Sequence, residues 1–357
     1  MNLRRKLALK LHSHYVKTQA KLHILNYFFW ECTAKCNLAC LHCGSDCKVQ
    51  PNISDMPAAD FLNIARQVAL RYNPAEVMVV ITGGEPLMRS DLHIVGAELM
   101  RIGFAWGMVS NGYLFTEEKF RLLRENGLRS VTISLDGLEE SHDWMRGKQG
   151  SFAKALNAIK ILAAEPGMTY DVVTCVNQRN FGELDQIRKL LVGTGVKRWR
   201  LFMIDPIGRA CENKELFISG DQFRQLMDYI TALRRKGSLA VSYGCDGYLG
   251  EYESQVRDGF FFCRAGIHVA SVLANGDISA CPNINRSFIQ GNIYTDDFME
   301  VWNKGFRDFR NRKIFKQGMC KNCKEWNHCM GDGMHLHKPS TPDPVICYYH
   351  KLYQKNH

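Results

Sequence analysis

The stretch ECTAKCNLACLHCGSDC, residues 31–47, contains five cysteines, three of them spaced as C-x3-C-x2-C at Cys36, Cys40 and Cys43. It follows the aromatic run LNYFFW, whose composition predicts a buried strand. Cysteine thiolates are the usual ligands of iron–sulfur clusters, and three of them can hold three corners of a four-iron cluster. The fourth iron then keeps an open position, which is typical of a catalytic metal site. The stretch therefore predicts a catalytic iron–sulfur centre.

A structural zinc site is the alternative interpretation of these cysteines. Zinc needs four ligands, and the fourth could come from Cys32, Cys47 or His42. Structural zinc sites usually show two C-x2-C pairs, a spacing that this stretch lacks. Two cysteines of the stretch, Cys32 and Cys47, are predicted not to be ligands of the cluster.

Short apolar runs alternate with segments of helical periodicity from residue 25 to about residue 235. The strand candidates are LNYFFWECT, VMVVITG, AWGMVSNG, SVTISLDG, YDVVTCVN and WRLFMIDPIG. The helix candidates cover residues 58–72, 91–102, 117–125, 152–164, 181–191 and 221–235. Apolar strands separated by helices indicate a parallel sheet. Six units are too few for a closed eight-unit barrel, so the sequence predicts an α/β fold with a partial (β/α)6 TIM-type barrel.

Three regions are predicted along the chain. Residues 1–24 form a basic N-terminal helical extension, and residues 25–240 form the partial barrel. After Lys236 the regular alternation gives way to a sequence rich in glycine, aromatic residues and cysteine. Residues 241–357 are therefore predicted to form a smaller, cysteine-rich α+β domain.

Composition and charge limit the cell compartment and the partners. The chain has 357 residues, 14 cysteines and a formal net charge of +10. Its N-terminus has no apolar segment of the secretory type and no run is long enough to span a bilayer, which predicts a cytoplasmic protein with reduced cysteines. Residues 1–30 contain no Asp or Glu, and a second basic stretch covers residues 304–324.

Two solvated helix faces are the simplest interpretation of these basic stretches. They would also attract an anionic peptide, a nucleic acid or a membrane surface. The N-terminal segment suits a weakly amphipathic helix on anionic lipid, which would give weak membrane-surface association. The absence of an interleaved basic and aromatic stretch disfavours a nucleic-acid partner.

Three motifs in a fixed order resemble the radical S-adenosylmethionine (radical SAM) superfamily over residues 25–235. They are CNLACLHC at residues 36–43, GGEP at residues 83–86 and SLDG at residues 134–137. The resemblance implies a [4Fe–4S] cluster on Cys36, Cys40 and Cys43, whose open iron is chelated by SAM. Reductive cleavage of SAM to a 5′-deoxyadenosyl radical would follow. The electrons would come from a donor such as flavodoxin or ferredoxin.

The same resemblance assigns SAM contacts to residues after the strands. Backbone at Gly83 and Gly84 can approach a ligand closely, and Glu85 can accept hydrogen bonds from an ammonium group. The remaining predicted contacts are His42 beside adenine, Ser134 and Asp136 on the ribose, Arg146 on the carboxylate, and Ser110, Asn111 and Asn177 as supporting polar groups.

The C-terminal cysteines resemble the SPASM extension of radical SAM enzymes that modify peptides and proteins. By this resemblance Cys320, Cys323, Cys329 and Cys347 ligate one auxiliary cluster, and Cys263 and Cys281 belong to a second. The chain departs from the pattern at Gly333, where a cysteine is expected. Cys245 or Asp332 would complete the second cluster, or that cluster is smaller, open-sited or absent. Structural zinc is the alternative.

The predicted function is a maturase that modifies a peptide or protein side chain. Several segments, among them CLHCGSDC, VVTCVNQRN and GDGMHLH, are similar to the maturases of radical SAM/lipoprotein systems, whose expected target is a lipoprotein precursor. Open alternatives are a sulfatase-maturase-like oxidation of Ser or Cys and a small-molecule radical SAM enzyme. A different class is an iron–sulfur electron carrier or a zinc-binding module. The catalytic candidates, chosen by position alone, are Asp205, Asp246, Cys175 and Cys211.

Overall fold

The computed structural model describes residues 3–47, 52–244 and 247–354, and a ten-stranded sheet runs through them. The strands are β1 Tyr27–Glu31, β2 Met78–Thr82, β3 Ala105–Ser110, β4 Leu128–Ser134, β5 Thr169–Val176, β6 Arg198–Met203, β7 Ala240–Tyr243, β8 Val269–Val272, β9 Asp277–Ser279 and β10 Gly291–Asn292. Their order across the sheet is β10-β9-β8-β1-β2-β3-β4-β5-β6-β7. Cys245 and Asp246 lie outside the described residues.

Twelve α-helices are present in the described residues. The helices are α1 Leu3–Leu22, α2 Ala58–Arg71, α3 Leu92–Ile102, α4 Glu117–Glu125, α5 Glu139–Arg146, α6 Ser151–Ala164, α7 Leu184–Gly193, α8 Gly220–Lys236, α9 Phe298–Lys304, α10 Arg307–Arg310, α11 Trp326–Cys329 and α12 Tyr348–Tyr353. Of these, α2 to α8 connect the parallel strands β1 to β7. The six predicted strands and their helices are confirmed, and so is the partial (β/α)6 TIM-type architecture. The sequence did not predict α5, whose eight residues are too few for a clear helical period.

The C-terminal part of the chain extends the sheet at both edges. Strand β7 pairs in parallel with β6, and β8 pairs in parallel with β1 on the other side. Strands β9 and β10 then continue from β8 in antiparallel pairs. The predicted boundary at residues 240/241 falls inside β7, and the division into three regions stays a prediction.

Aromatic packing under β1 fixes the strand that leads into the cysteine stretch. Phe28 and Trp30 are fully buried, and Phe61 of α2 stacks on Trp30 with ring centroids 4.4 Å apart. Parallel pairing with β2 and β8 then holds the carboxyl end of β1 among those of its neighbours. Polar loops that follow the strands meet at this edge. In the described part of the chain, no helix has the length and apolar character required to cross a bilayer.

Candidate functional site

Backbone hydrogen bonds fasten the cysteine loop to three other segments. The N–H of Gly84 donates to the carbonyl of Thr33 at 2.8 Å, and that of Glu85 donates to Lys35 at 2.9 Å. The N–H of Leu41 donates to Met145 of α5 at 2.9 Å. The N–H of Arg209, beyond β6, donates to Cys43 at 3.1 Å. The loop is therefore positioned by segments that follow β2, β4 and β6.

Two glycines allow these segments to approach the loop backbone. A Cβ atom at Gly84 would lie 2.1 Å from the carbonyl oxygen of Lys35. Gly208 has φ +59°, and a Cβ atom there would lie 2.4 Å from the carbonyl oxygen of Cys43. A side chain at either position would displace the loop. Gly84 was predicted from its motif, whereas nothing in the local sequence distinguishes Gly208.

The three predicted thiols lie in one patch at the edge of the sheet. Cys36, Cys40 and Cys43 pack together with Cys47 and Tyr113. Nη1 of Arg146 lies 3.6 Å from Sγ of Cys40, and Nδ2 of Asn111 lies 3.9 Å from Sγ of Cys36. Donors and positive charge favour thiolates, which are the forms that bind iron. The arrangement fits three ligands of an iron–sulfur cluster.

The thiols of this region differ in pKa. Burial raises the pKa of Cys36 to about 11. A hydrogen bond from Cys47 and the nearby charge of Arg209 lower the pKa of Cys43, although burial opposes them. Burial also raises the pKa of Cys32, which is fully buried in the sheet. The pKa of Cys43 is therefore shifted in the opposite direction from those of Cys36 and Cys32.

The carboxylate of Glu85 joins two of the predicted SAM-binding turns. It is buried and accepts hydrogen bonds from Oγ of Ser110 and the N–H of Asn111, both at 2.8 Å. It also accepts from the N–H of Leu87 at 3.2 Å. Burial raises the pKa of Glu85, and these hydrogen bonds oppose that rise. The structure thus brings Glu85, Ser110 and Asn111 together.

The side chain of Asp136 links several residues of the site. It is fully buried, and its Oδ1 accepts from the N–H of Cys175 at 2.7 Å. Its Oδ2 lies 2.5 Å from Nη2 of Arg146 and 3.7 Å from Nε2 of His42. Burial raises the pKa of Asp136, but the opposing effect of Arg146 and His42 is larger, so the pKa is lowered overall. Residues predicted for three parts of SAM therefore contact one another.

Asn177 and Ser134 occupy the same edge in different roles. Oδ1 of Asn177 accepts from the N–H groups of Arg179 at 2.9 Å and Asn180 at 3.1 Å, which fixes the turn after β5. Nδ2 of Asn180 donates to the carbonyl of Asp136 at 2.7 Å. Ser134 is half-buried at the end of β4. Asn180 supports the position of Asp136; it lies within the segment VVTCVNQRN, from which no role was predicted for it.

His142 is a second supporting residue that the sequence did not indicate. Its Nδ1 accepts a hydrogen bond from the N–H of Asp136 at 3.0 Å, so this nitrogen is unprotonated. The side chain is fully buried. Burial lowers the pKa of His142 to about 4, and the charge of Arg146 adds to that effect.

We expect acid to destabilise the protein through His142. A histidine whose pKa is lowered in the folded state stabilises the fold above its unfolded pKa of about 6.5, and this stabilisation is lost as the pH falls toward 4. The contribution is about 3 kcal/mol. Urea unfolding of the wild type and of His142→Gln between pH 7 and pH 4 measures it. A constant difference between the two proteins over this range would contradict the expectation.

Four C-terminal cysteines line one cavity. They are Cys320, Cys323, Cys329 and Cys347, as the sequence predicted. Asp332 lines the same cavity, and its Oδ1 accepts from Sγ of Cys329 at 3.2 Å. The backbone N–H of Asp332 also donates to this sulfur, at 3.1 Å. The four thiols fit an iron–sulfur cluster, and Asp332 is oriented toward this site.

Cys263 and Cys281, the predicted ligands of a second auxiliary cluster, are both half-buried. Nη2 of Arg312 lies 3.4 Å from the carbonyl oxygen of Cys263. Burial raises the pKa of the Cys263 thiol, but the opposing effect of Arg312 and backbone hydrogen bonds is larger, so the pKa is lowered overall. Cys281 follows β9. Because Cys245 lies outside the described residues, this second site stays a prediction.

Asp205 is a catalytic candidate with specific side-chain contacts. It follows β6, and its Oδ1 accepts from the hydroxyl of Tyr348 at 2.7 Å. Its Oδ2 lies 3.1 Å from Nε2 of His335. Of the other candidates, Cys175 is half-buried in β5 and Cys211 is exposed. Asp205 therefore joins the barrel edge to the region of the C-terminal cysteines.

Comparisons with known proteins match both halves of the chain. The sequence model of the Radical SAM superfamily matches residues 30–191, and that of the SPASM iron–sulfur cluster-binding domain matches residues 263–324. The AdoMet-dependent heme synthase of Oleidesulfovibrio alaskensis is 27% identical, over 85% of this chain and 81% of its own length. The mycofactocin maturase MftC of Mycolicibacterium smegmatis is 31% identical, over 85% of this chain and 77% of its own length.

A solved structure shows the same fold. The crystal structure of Streptococcus suis SuiB bound to S-adenosylmethionine aligns with a TM-score of 0.71 at 18% identity, covering 94% of this chain and 80% of SuiB. SuiB has also been solved bound to the precursor peptide SuiA, and that structure aligns with a TM-score of 0.70. At this identity the likeness concerns the fold alone.

Proposed function

The chain belongs to the radical SAM superfamily and carries a SPASM domain, and on this premise we propose that it modifies a side chain of a peptide or protein. It is an enzyme that binds a [4Fe–4S] cluster and SAM, and its SPASM domain binds auxiliary iron–sulfur clusters. The family resemblance predicted from the three sequence motifs is confirmed. The observation that carries the proposal is the 31% identity to the mycofactocin maturase MftC across most of both chains.

We assign the catalytic cluster to Cys36, Cys40 and Cys43. When bound, the cluster and SAM would supply the radical chemistry that removes a hydrogen atom from the substrate. The chain's own part is to hold the ligands and to exclude water. Arg146 and Asn111 supply donors to the thiolates, and the fastened loop keeps the three sulfurs on one side.

The SAM site is assigned to the loops at the same edge. The proposed contacts are His42, Gly83, Gly84, Glu85, Ser110, Asn111, Ser134, Asp136, Arg146 and Asn177. Arg146 is suited to a carboxylate because a guanidinium can donate two parallel hydrogen bonds. Its pair with Asp136 sets the orientation of the guanidinium before SAM arrives.

Asp205 is the proposed proton acceptor. If the substrate loses a hydrogen atom and then one electron, it would also release a proton; the electron would pass to the auxiliary cluster, and a carboxylate in hydrogen-bond contact with a histidine can receive the proton. Asp205 lies three residues before Gly208, whose backbone approaches Cys43. His335 and Tyr348 hold the carboxylate from the C-terminal side. Cys211, which is exposed, has no comparable setting.

The auxiliary cluster is assigned to Cys320, Cys323, Cys329 and Cys347. Tyr348 directly follows Cys347 and donates to Asp205, so the four-cysteine cavity and the barrel edge are in contact. Cys245, Cys263 and Cys281 remain the proposed ligands of a second cluster. A flavodoxin or ferredoxin is the proposed electron donor, and the cytoplasm is the proposed location.

A second candidate is a small-molecule radical SAM enzyme. It is favoured by the 27% identity to an AdoMet-dependent heme synthase over 85% of this chain. The sulfatase-maturase-like oxidation of Ser or Cys stays within the first proposal, as one modification of a peptide side chain.

Peptide mass spectrometry distinguishes the two candidates. Peptides from cells that produce the wild type are compared with peptides from cells that produce Cys36→Ala/Cys40→Ala/Cys43→Ala. We expect a mass change confined to one peptide or protein, and only with the wild type. In parallel, the purified enzyme is incubated with SAM, dithionite and iron porphyrins. Heme formation without any peptide mass change would replace the first proposal by the second.

A further inference from the structure

Helix α1 is fixed to the rest of the protein by one face. Leu9 and Val16 are buried against the C-terminal region. Nη2 of Arg5 donates to the carbonyl of Gly250 at 2.6 Å, and Nε2 of His12 lies 3.0 Å from the carbonyl oxygen of Phe261. This face therefore orients the whole helix, including the side that points to solvent.

The solvent side of α1 carries a second apolar stripe. Leu7, Leu11, Tyr15 and Leu22 have exposed fractions of 57%, 64%, 49% and 54%. At 100° per residue these four positions fall within an arc of about 80°. They lie roughly opposite Leu9 and Val16. Large apolar side chains aligned in this way mark an interaction surface more often than isolated exposed leucines do.

Positive charge borders this stripe. Lys6, Lys10, Lys17 and Lys21 are all exposed, and they fall within a neighbouring arc of about 60° on the same helix. Residues 1–30 contain no Asp or Glu that could neutralise them. The outer face of α1 is therefore both apolar and cationic.

We propose that α1 docks the enzyme on an anionic membrane surface. In this arrangement the apolar stripe enters the boundary between headgroups and acyl chains, and the lysines contact lipid phosphates. A stable protein–protein interface buries about 800 Å² on each partner, which a line of four side chains does not provide. A bilayer needs only apolar anchors and charge. The proposal is independent of the substrate on which the enzyme acts.

Vesicle sedimentation tests the proposal. The reconstituted full-length protein, without an N-terminal tag, is mixed anaerobically with vesicles of phosphatidylcholine that contain either no anionic lipid or about 30% phosphatidylglycerol. We expect the partition coefficient on anionic vesicles to be at least about tenfold larger than on neutral vesicles. Partitioning onto anionic vesicles should fall about tenfold in each of two double variants, Leu7→Glu/Leu11→Glu and Lys10→Glu/Lys17→Glu. Leu70→Glu is the matched control, because Leu70 is 85% exposed on a different helix, α2.

Three outcomes would overturn the proposal. The first is equal binding to neutral and anionic vesicles. The second is unchanged binding of the two α1 variants, whose folding is checked by circular dichroism. The third comes from sedimentation velocity without lipid: a wild type that self-associates and a Leu7→Glu/Leu11→Glu variant that does not would assign the stripe to a contact between copies of the chain.

Discussion

Replacing Cys36, Cys40 and Cys43 together by alanine is expected to abolish 5′-deoxyadenosine formation. The three thiols form the patch that fits the cluster ligands, and the loop fastened by Gly84 and Arg209 places them there. Without a bound cluster the enzyme cannot reduce SAM. The measurement is chromatography of 5′-deoxyadenosine after anaerobic reconstitution and dithionite reduction. We expect at least about four iron atoms per chain to persist in this variant, on the auxiliary cysteines.

Cys47→Ala is the matched control for this variant. Cys47 packs in the same patch and hydrogen-bonds to Cys43, yet it lies outside the C-x3-C-x2-C spacing. We expect the control to retain both its iron and its 5′-deoxyadenosine. Equal loss of activity in the control would assign Cys47 to the cluster. Undiminished activity in the triple variant would refute the assignment of Cys36, Cys40 and Cys43.

Most of the barrel could be predicted because its signals are local. Each apolar run from β1 to β6 is short and is followed by a segment with helical spacing, so no distant contact was needed to find it. The C-terminal extension of the sheet could not be predicted in this way. Strands β7 to β10 have two to four residues each, and their place in the sheet depends on pairing with β6 and β1.

The site divides along the same line. Cys36, Glu85 and Asp136 belong to motifs whose spacing is visible in the sequence. His142 acts through the backbone of Asp136, six residues earlier, and Asn180 and Gly208 act through backbone atoms of distant segments. The spacing of residues in a single sequence does not predict these contacts. The sequence also treated Asp136 and Arg146 as separate contacts to SAM, whereas the structure pairs them.

That pair leads to the second large effect. Asp136→Asn is expected to lower the free energy of unfolding by about 3–5 kcal/mol, because it leaves the buried guanidinium of Arg146 without its carboxylate. The pKa of Asp136 is lowered in the folded state. Its contribution to stability is therefore present at pH 7 and is lost as the pH falls below about 4. Urea unfolding followed by tryptophan fluorescence measures both effects.

A double-mutant cycle separates the pair from its surroundings. Asp136→Asn leaves the cation of Arg146 without its partner, and Arg146→Met removes that cation. The destabilisation of the double variant should therefore be smaller than the sum of the two single destabilisations. The matched control is the exposed pair of Asp185 and Lys189, whose atoms lie 3.0 Å apart and whose coupling should be much weaker because solvent screens the two charges. Additive single effects at Asp136 and Arg146 would mean that the two charges act independently. SAM titration calorimetry on the same variants tests the assignment of both residues to the SAM site, since a purely structural pair would change stability without changing SAM affinity.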